Sequence, residues 1–262
     1  LDTLFNHPNT APFISRQLIQ RLVTANPSPG YVYRVSQVFA NNGAGVRGDL
    51  GAVARAILLD YEARSAEVAA TASFGKLKEP VLRATAVLRA FNGGAHNGRI
   101  GYFNPETNLA QAPLRAPTVF NFYEPGYVQP GLLASAGLVA PEYQLITDTT
   151  AISMPNQLWN FIYATRTGMP GTTTTLNPAE ATLGVLLDSS ILAMARTPQA
   201  LVDYANLVLA AGGLPKSVTD RFVAAITALP SSTAATFGGA ELERVRSALY
   251  LTVSAPQGAI QK

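Results

Sequence analysis

The sequence contains no cysteine, which excludes disulfide bonds and thiolate-bound metals. Only 13% of its residues are charged, about half the usual share, and the basic residues are scattered. Because a phosphate backbone requires grouped basic side chains, we expect no nucleic-acid partner. The apolar runs are too short to cross a bilayer, so we expect no membrane span. The two histidines lie far apart, which excludes a histidine-rich zinc site, and we expect no metal and no other cofactor.

Apolar side chains do recur every three or four residues along most of the chain, a spacing that predicts amphipathic helices. The predicted helices cover residues 11–25, 28–41, 50–58, 77–91, 142–162, 178–187, 198–211, 215–229 and 241–254. No stretch shows the two-residue alternation of a half-buried strand. We therefore predict an all-α fold, a multi-helix orthogonal bundle.

The same periodicity predicts which side of a helix is buried. In the helix at 11–25 the inward residues are expected to be Ile14, Leu18 and Leu22. In the helix at 77–91 we expect Leu82 to point inward and Arg83 to point to solvent. Both expectations follow from the apolar stripe alone and take no account of tertiary contacts.

The segment Gly43–Gly48 spells the G-x-G-x-x-G pattern of dinucleotide-binding turns. That chemistry requires a strand before the glycines and free N–H groups at the start of the next helix. Here a helical pattern precedes the glycines, and Asp49 is placed to cap those N–H groups. We predict a turn between two helices, and we expect Thr10 to cap the helix at 11–25 in the same way.

The helical pattern disappears between residues 93 and 141, where prolines and aromatic residues are frequent. Disordered linkers avoid aromatic residues, so we predict a long ordered Pro/aromatic coil that lines a groove. The prediction for the whole chain is a single helical domain over 1–262. It comprises a helical part at 1–92, the extended coil at 93–141 and a second helical part at 142–262.

Six residues are candidates for a binding site: His7, Arg16, Arg21, Asn121, Tyr123 and Glu124. The His7 ring could act as an acid or base near neutral pH, although its Asn, Pro and Thr neighbours favour a structural role at a helix entry. Either arginine could bind an anion or be solvated or paired with a carboxylate. The aromatic run that includes Tyr123 could stack on sugar rings or pack in the core.

Five stretches of the sequence are recognisable together and in order. They read FNHPNTAPFISRQLIQRLV, FANNGAGVRGDLGAVARAILLD, GKLKEPVLR, RAPTVFNFYEPGY and GLVAPEYQL. The chain resembles the bacterial family called domain of unknown function 1800, and specifically the C-terminal half of its members. The resemblance implies a secreted or periplasmic protein, and it implies that the chain is part of a larger precursor. The family has no established activity that could be carried over to these residues.

These observations favour an exported helical module with a binding or assembly role. Its contact surface would be the Pro/aromatic coil and the helix entry from His7 to Arg16. The expected partner is the missing N-terminal half of the precursor or another protein chain, with a polysaccharide or other extracellular polymer as a further possibility. The alternative is a hydrolase acting on an extracellular polymer, with His7 or a carboxylate such as Glu124 or Glu142 working beside an arginine.

Overall fold

A computed structural model describes residues 1–94, 104–163, 184–233 and 238–262. Within these ranges the chain is mostly α-helical, as predicted. The α-helices are α1 Asp2–Asn6, α2 Thr10–Leu22, α3 Pro29–Ala40, α4 Leu50–Leu59, α5 Tyr61–Arg64, α6 Ala66–Ala69, α7 Pro80–Ala90, α8 Pro105–Leu109, α9 Leu132–Ser135, α10 Asp148–Tyr163, α11 Ser189–Met194, α12 Pro198–Ala210, α13 Lys216–Ala228 and α14 Gly239–Ser254.

Other regular structure in the described ranges is short. Strands β1 (Lys76–Leu77) and β2 (Ile260–Gln261) form a two-stranded sheet, and 3-10 turns cover Pro141–Leu145 and Gln257–Ala259. Among the described residues no helix is both long and apolar enough to cross a membrane.

The chain divides into two compact units. The first comprises Leu1–Leu77, Tyr123–Gln144 and Gln261–Lys262, and the second comprises Lys78–Phe122 and Leu145–Ile260. Each unit has its own hydrophobic core.

Helices α2, α3 and α4 enclose the core of the first unit. In α3 the buried residues Tyr31, Val35 and Phe39 recur every four positions and so share one face. Sequence signals for this helix agree with one another, since the Ser28 hydroxyl accepts from the Tyr31 N–H and Pro29 occupies the first turn. Helix α4 starts as predicted after Asp49, whose carboxylate accepts from the Ala52 N–H at 3.0 Å.

Helix α2 lies where it was predicted, but two details of the prediction were wrong. Ile14 and Leu18 pack against the core as predicted, but the most buried residues of the face are Ser15 and Ile19, and Leu22 is 39% exposed. Thr10 does not cap the helix: it is the first helical residue, and its hydroxyl donates to the Leu4 carbonyl. The apolar stripe was misleading because two polar side chains of α2, those of Ser15 and Gln20, are also buried.

The second unit is built around α10, α12 and α14, which carry fully buried residues including Leu158, Leu201 and Leu249. The helices predicted at 198–211, 215–229 and 241–254 are confirmed with ends that differ by at most two residues. Most of the helix predicted at 178–187 lies outside the described residues.

The helix predicted at 77–91 starts later, at Pro80, because Lys76–Leu77 form β1. Its buried residues are Pro80, Ala84 and Val87. Leu82 is 43% exposed, while the Arg83 guanidinium donates to the Val253 carbonyl of α14. The expected positions of Leu82 and Arg83 were therefore wrong, because the periodicity gives no sign of the Val253 carbonyl that accepts from Arg83.

The described part of the 93–141 segment contains the short helices α8 and α9 among otherwise irregular residues. Its aromatic side chains differ in environment: Tyr123 is buried in the first unit, whereas Phe120 is exposed. His96 and two further aromatic residues of this segment, Tyr102 and Phe103, lie outside the described residues.

Candidate functional site

A surface groove of about 800 Å³ lies along α2 and α3 in the first unit. We call it the α2–α3 groove. Its lining is Pro8, Asn9, Ala11, Pro12, Phe13, Arg16, Pro27, Pro29, Val32, Tyr33, Ser36, Gln37, Ala40 and Arg47. A volume in the range of roughly 300–1,000 Å³ is typical of ligand sites.

Two large aromatic side chains line this groove and remain open to solvent. Phe13 on α2 is 62% exposed, and Tyr33 on α3 is 64% exposed. Exposure follows from their positions, since Phe13 lies two residues from the buried Ala11 and Tyr33 lies between the buried Tyr31 and Val35. Solvent-exposed aromatic rings on a groove wall provide apolar area for a partner to cover.

The groove is cationic. It includes Arg16 and Arg47, and none of the described residues that line it carries a carboxylate. Arg16 is exposed, and within the described part of the chain no hydrogen bond or ion pair involves it. Its guanidinium therefore keeps its donors for an external acceptor.

Arg47 is held in a different way. Its Nε donates to the Phe5 carbonyl at 3.1 Å and its Nη2 to the His7 carbonyl at 3.3 Å. The guanidinium carbon also lies 5.4 Å from the centre of the Phe39 ring and 5.5 Å from that of Phe5. Arg47 thus connects the loop after α3 to the turn between α1 and α2.

In the loop that carries Arg47, backbone N–H groups form hydrogen bonds with side chains of the same loop. The Asn41 side-chain oxygen accepts from the N–H groups of Gly43 and Gly45, and the Asn42 side-chain oxygen accepts from those of Ala44 and Val46. The Gly48 N–H donates to the Phe39 carbonyl. The G-x-G-x-x-G spelling is therefore a turn between two helices, as predicted, and these N–H groups are already paired and so not free for a phosphate.

His7 lies at the end of α1, where its Nδ1 accepts from the Asn9 N–H at 3.2 Å. It lines a neighbouring groove of about 760 Å³ together with Leu4, Phe5 and Phe13. Arg16 is absent from that lining, and His7 is absent from the lining of the α2–α3 groove. The two predicted site residues therefore line different grooves, which adjoin at Asn9 and Phe13.

A second arrangement in the first unit is buried. The Lys76 ammonium group donates to the carbonyls of Gln20 (3.2 Å) and Arg21 (2.8 Å) in the last turn of α2. It also forms an ion pair with the Glu142 carboxylate at 3.0 Å, and both side chains are almost fully buried. A cation at the C-terminal end of a helix is favourable because the last carbonyls carry partial negative charge.

Two predicted site residues meet beside this ion pair. The Arg21 guanidinium lies 3.9 Å from the centre of the Tyr123 ring, within the range of a cation–π contact. The Gln20 side chain donates to the Pro125 carbonyl at 3.2 Å and to the Ala25 carbonyl at 2.9 Å. These contacts hold the segment that starts at Tyr123 against the end of α2. We call Gln20, Arg21, Lys76, Tyr123 and Glu142 the polar cluster.

Two buried side-chain atoms of the polar cluster have no hydrogen-bond partner in the described part of the chain. They are Arg21 Nη1 and Glu142 Oε2, both buried and both on residues that line one small cavity. Four of the five stretches that carry the family resemblance contribute to the cluster and its contacts.

The remaining predicted residues lie apart. Glu124 is exposed, and its backbone N–H donates to the Gln144 side chain at 2.8 Å. Asn121 belongs to the second unit, where it ends a turn with a left-handed φ of 70° that asparagine tolerates well. Sequence reasoning missed Tyr33, Arg47 and Lys76. Of these, Tyr33 had a signal, because it is a large aromatic residue on the polar side of the predicted helix.

The fold and these sites define a mostly α-helical protein with an open groove on its first unit. Among the described residues no three His, Cys, Asp or Glu side chains are grouped as a metal site. The chain belongs to the DUF1800 family of proteins of unknown function, whose family model matches residues 1–257. Neither the curated proteins nor the solved structures contain a match to the chain.

Proposed function

We propose that this chain is a binding module and that the α2–α3 groove is its contact surface. The observation that carries the proposal is one surface that combines the exposed rings of Phe13 and Tyr33 with Arg16, which has no partner among the described residues. Aromatic residues and arginine contribute most to binding at protein interfaces. A folded chain that leaves them exposed side by side retains apolar area and hydrogen-bond donors for a partner.

The proposed partner is a polypeptide segment, from another protein or from the precursor's N-terminal half that the family resemblance implies. The groove lining favours this over a polysaccharide because it consists largely of Pro, Phe, Val, Ala and Tyr side chains. Sugar hydroxyls lose water on binding and require hydrogen bonds in return, which the apolar majority of the lining does not supply. Apolar side chains of a polypeptide require only a matching surface.

The proposed location is outside the cytoplasm, in the periplasm or secreted. The lack of cysteine is compatible with this location, and export is what the resemblance noted in the sequence implies. Fractionation of the native bacterium with an antibody against the first unit tests the proposal. Recovery of the protein in the cytoplasmic fraction would contradict it.

The alternative, a hydrolase on an extracellular polymer, is favoured by one observation. Glu142 and Arg21 line one cavity, and each has a buried polar atom with no hydrogen-bond partner among the described residues. A buried carboxylate is a candidate general acid or base. If this alternative holds, the purified protein releases soluble fragments from an insoluble polymer such as peptidoglycan, and Glu142→Gln abolishes the release.

Photo-crosslinking in the native bacterium tests the binding role. A benzophenone amino acid replaces Tyr33 in one variant and Tyr61 in a control, which is also an exposed tyrosine of the first unit but lies outside the groove. We expect a discrete, protease-sensitive adduct from position 33 and no such adduct from position 61. An adduct that is sensitive only to glycan degradation would show that the partner is a polysaccharide and not a polypeptide. Identical adduct patterns at both positions, or none at position 33, would contradict the proposal.

A further inference from the structure

We infer that the α2–α3 groove takes a short polypeptide segment bearing a carboxylate, and that Arg16 binds this carboxylate. The inference rests on the proposed function and specifies the chemistry of its ligand. It depends on the charges, the hydrogen bonds and the shape of the groove.

The charge of the groove favours an anionic ligand. Arg16 and Arg47 are cationic residues of the lining, and no described residue of the lining provides a carboxylate to balance them. Arg47 already donates to the carbonyls of Phe5 and His7. Arg16 has no partner among the described residues, so its donors are available. A guanidinium matches a carboxylate in a planar, two-bond geometry, and a carboxylate is the ordinary anionic group of a polypeptide.

The prolines of the lining determine how the rest of the segment is recognised. Pro8, Pro12, Pro27 and Pro29 have no N–H group and cannot donate to the backbone of a ligand. The groove therefore does not add a strand to a sheet edge, which is a common mode of peptide binding. Recognition instead depends on side chains, with Phe13 and Tyr33 covering apolar groups and Arg16 fixing the position of the acidic one.

The volume limits the length of the segment. About 800 Å³ lies within the range of small-ligand sites rather than of a groove that accepts a long helix. A few residues with aliphatic or aromatic side chains next to one Asp, Glu or chain-terminal carboxylate match this space and this charge.

A random dodecapeptide library displayed on phage tests the inference on the whole chain. We expect panning to enrich peptides in which an acidic residue neighbours apolar ones. A synthetic copy of the most enriched peptide should bind at least about tenfold more weakly to Arg16→Glu, and measurably more weakly to the milder Arg16→Gln. Arg55→Glu is the matched control, because Arg55 is an exposed arginine on α4 outside the groove lining and should leave binding unchanged.

A groove variant, Tyr33→Ala, separates failure of the inference from failure of the proposed function. If Tyr33→Ala weakens binding of the enriched peptides while Arg16→Glu leaves it unchanged, the groove binds polypeptide but the carboxylate assignment is wrong. If neither variant changes binding, or no peptide is enriched, the groove is not a polypeptide site and both statements fail. Binding of a uronate oligosaccharide that Arg16→Glu abolishes, without peptide binding, would likewise overturn the inference. Far-UV circular dichroism confirms that each variant is folded.

Discussion

At the scale of single residues, the Lys76–Glu142 ion pair places two charged groups in the interior of the first unit. Both charges are removed from water, which costs free energy that only close pairing and further hydrogen bonds offset. Lys76 meets that condition, because its three donors face two helix carbonyls and one carboxylate. Removal of Lys76 alone would leave Glu142 charged, buried and unpaired.

Lys76→Met is therefore expected to lower the free energy of unfolding by about 3–5 kcal/mol. The double variant Lys76→Met with Glu142→Gln should lose clearly less, since no buried charge is left alone. Lys216→Met is the control, because Lys216 forms an exposed pair with Asp220 worth about 0.5 kcal/mol or less. Urea unfolding followed by far-UV circular dichroism measures all three. A loss below about 1 kcal/mol for Lys76→Met would show that the pair does not stabilise the fold.

Asp60 provides a prediction about pH. Burial opposes ionisation of its carboxyl, but hydrogen bonds from the Arg34 guanidinium and the Glu62 backbone N–H outweigh it, so the pKa of Asp60 lies below its usual value. A lowered pKa in the folded state contributes stability above the unfolded pKa of about 3.9. That contribution is lost as the pH falls through the folded pKa.

Asp60→Asn should therefore destabilise the protein at pH 6, by about 1–3 kcal/mol for the loss of charge-assisted hydrogen bonds. The difference between wild type and variant should shrink when the pH is lowered towards 2. Urea unfolding at both pH values measures it, with the exposed Asp203→Asn as a control. A difference that stays constant with pH would show that the ionised form of Asp60 is not specially stabilised.

At the scale of elements, prediction succeeded where local signals agreed. Helix α3 has a serine cap, a first-turn proline and an apolar stripe, and all three were readable from neighbouring residues. The buried face of α2 was not readable, because Gln20 is held by the Pro125 carbonyl, 105 positions away in the chain. Helices α5, α6, α8 and α9 span at most five residues, too few for periodicity to reveal.

The candidate site residues were likewise predictable only where the signal was local. Arg21 and Tyr123 were each identifiable as residue types that bind, but their mutual contact depends on the tertiary fold. Lys76 gave no signal, since nothing near it in sequence shows that its ammonium group reaches the end of α2. Local chemistry can be predicted from sequence, whereas the pairing of distant polar groups requires coordinates.

The loop between α3 and α4 yields a prediction with a built-in control. Gly45 and Gly48 both have positive φ, which strains any other residue. A Cβ at Gly48 would also lie 2.7 Å from the Phe5 ring, whereas a Cβ at Gly45 would meet no atom within 4 Å. Gly48→Ala should thus cost about 1–3 kcal/mol more than Gly45→Ala and displace α1. Hydrogen exchange of residues 2–9 and urea unfolding measure this, and equal effects of the two substitutions would refute the close packing of Phe5 on Gly48.

At the scale of the whole molecule, the two units have different features. The second unit consists of helices around an apolar core, and α12, α13 and α14 lie where the sequence predicts helices. The first unit contains the polar cluster, in which a buried ion pair and a cation–π contact fix the segment at 123–144, and it also contains the α2–α3 groove. We interpret the polar cluster as structural support and the groove as the surface that binds.

The central claim is that this groove is occupied when the protein works, and arginine modification tests it directly. Arg16 and Arg55 are both exposed in the chain, but only Arg16 lines the groove. Phenylglyoxal labelling, quantified by mass spectrometry, should modify the two arginines to similar extents in the purified chain. In intact cells that produce the protein, Arg16 should be protected several-fold relative to Arg55. Equal labelling of Arg16 and Arg55 in cells would show that nothing covers the groove and would contradict the account.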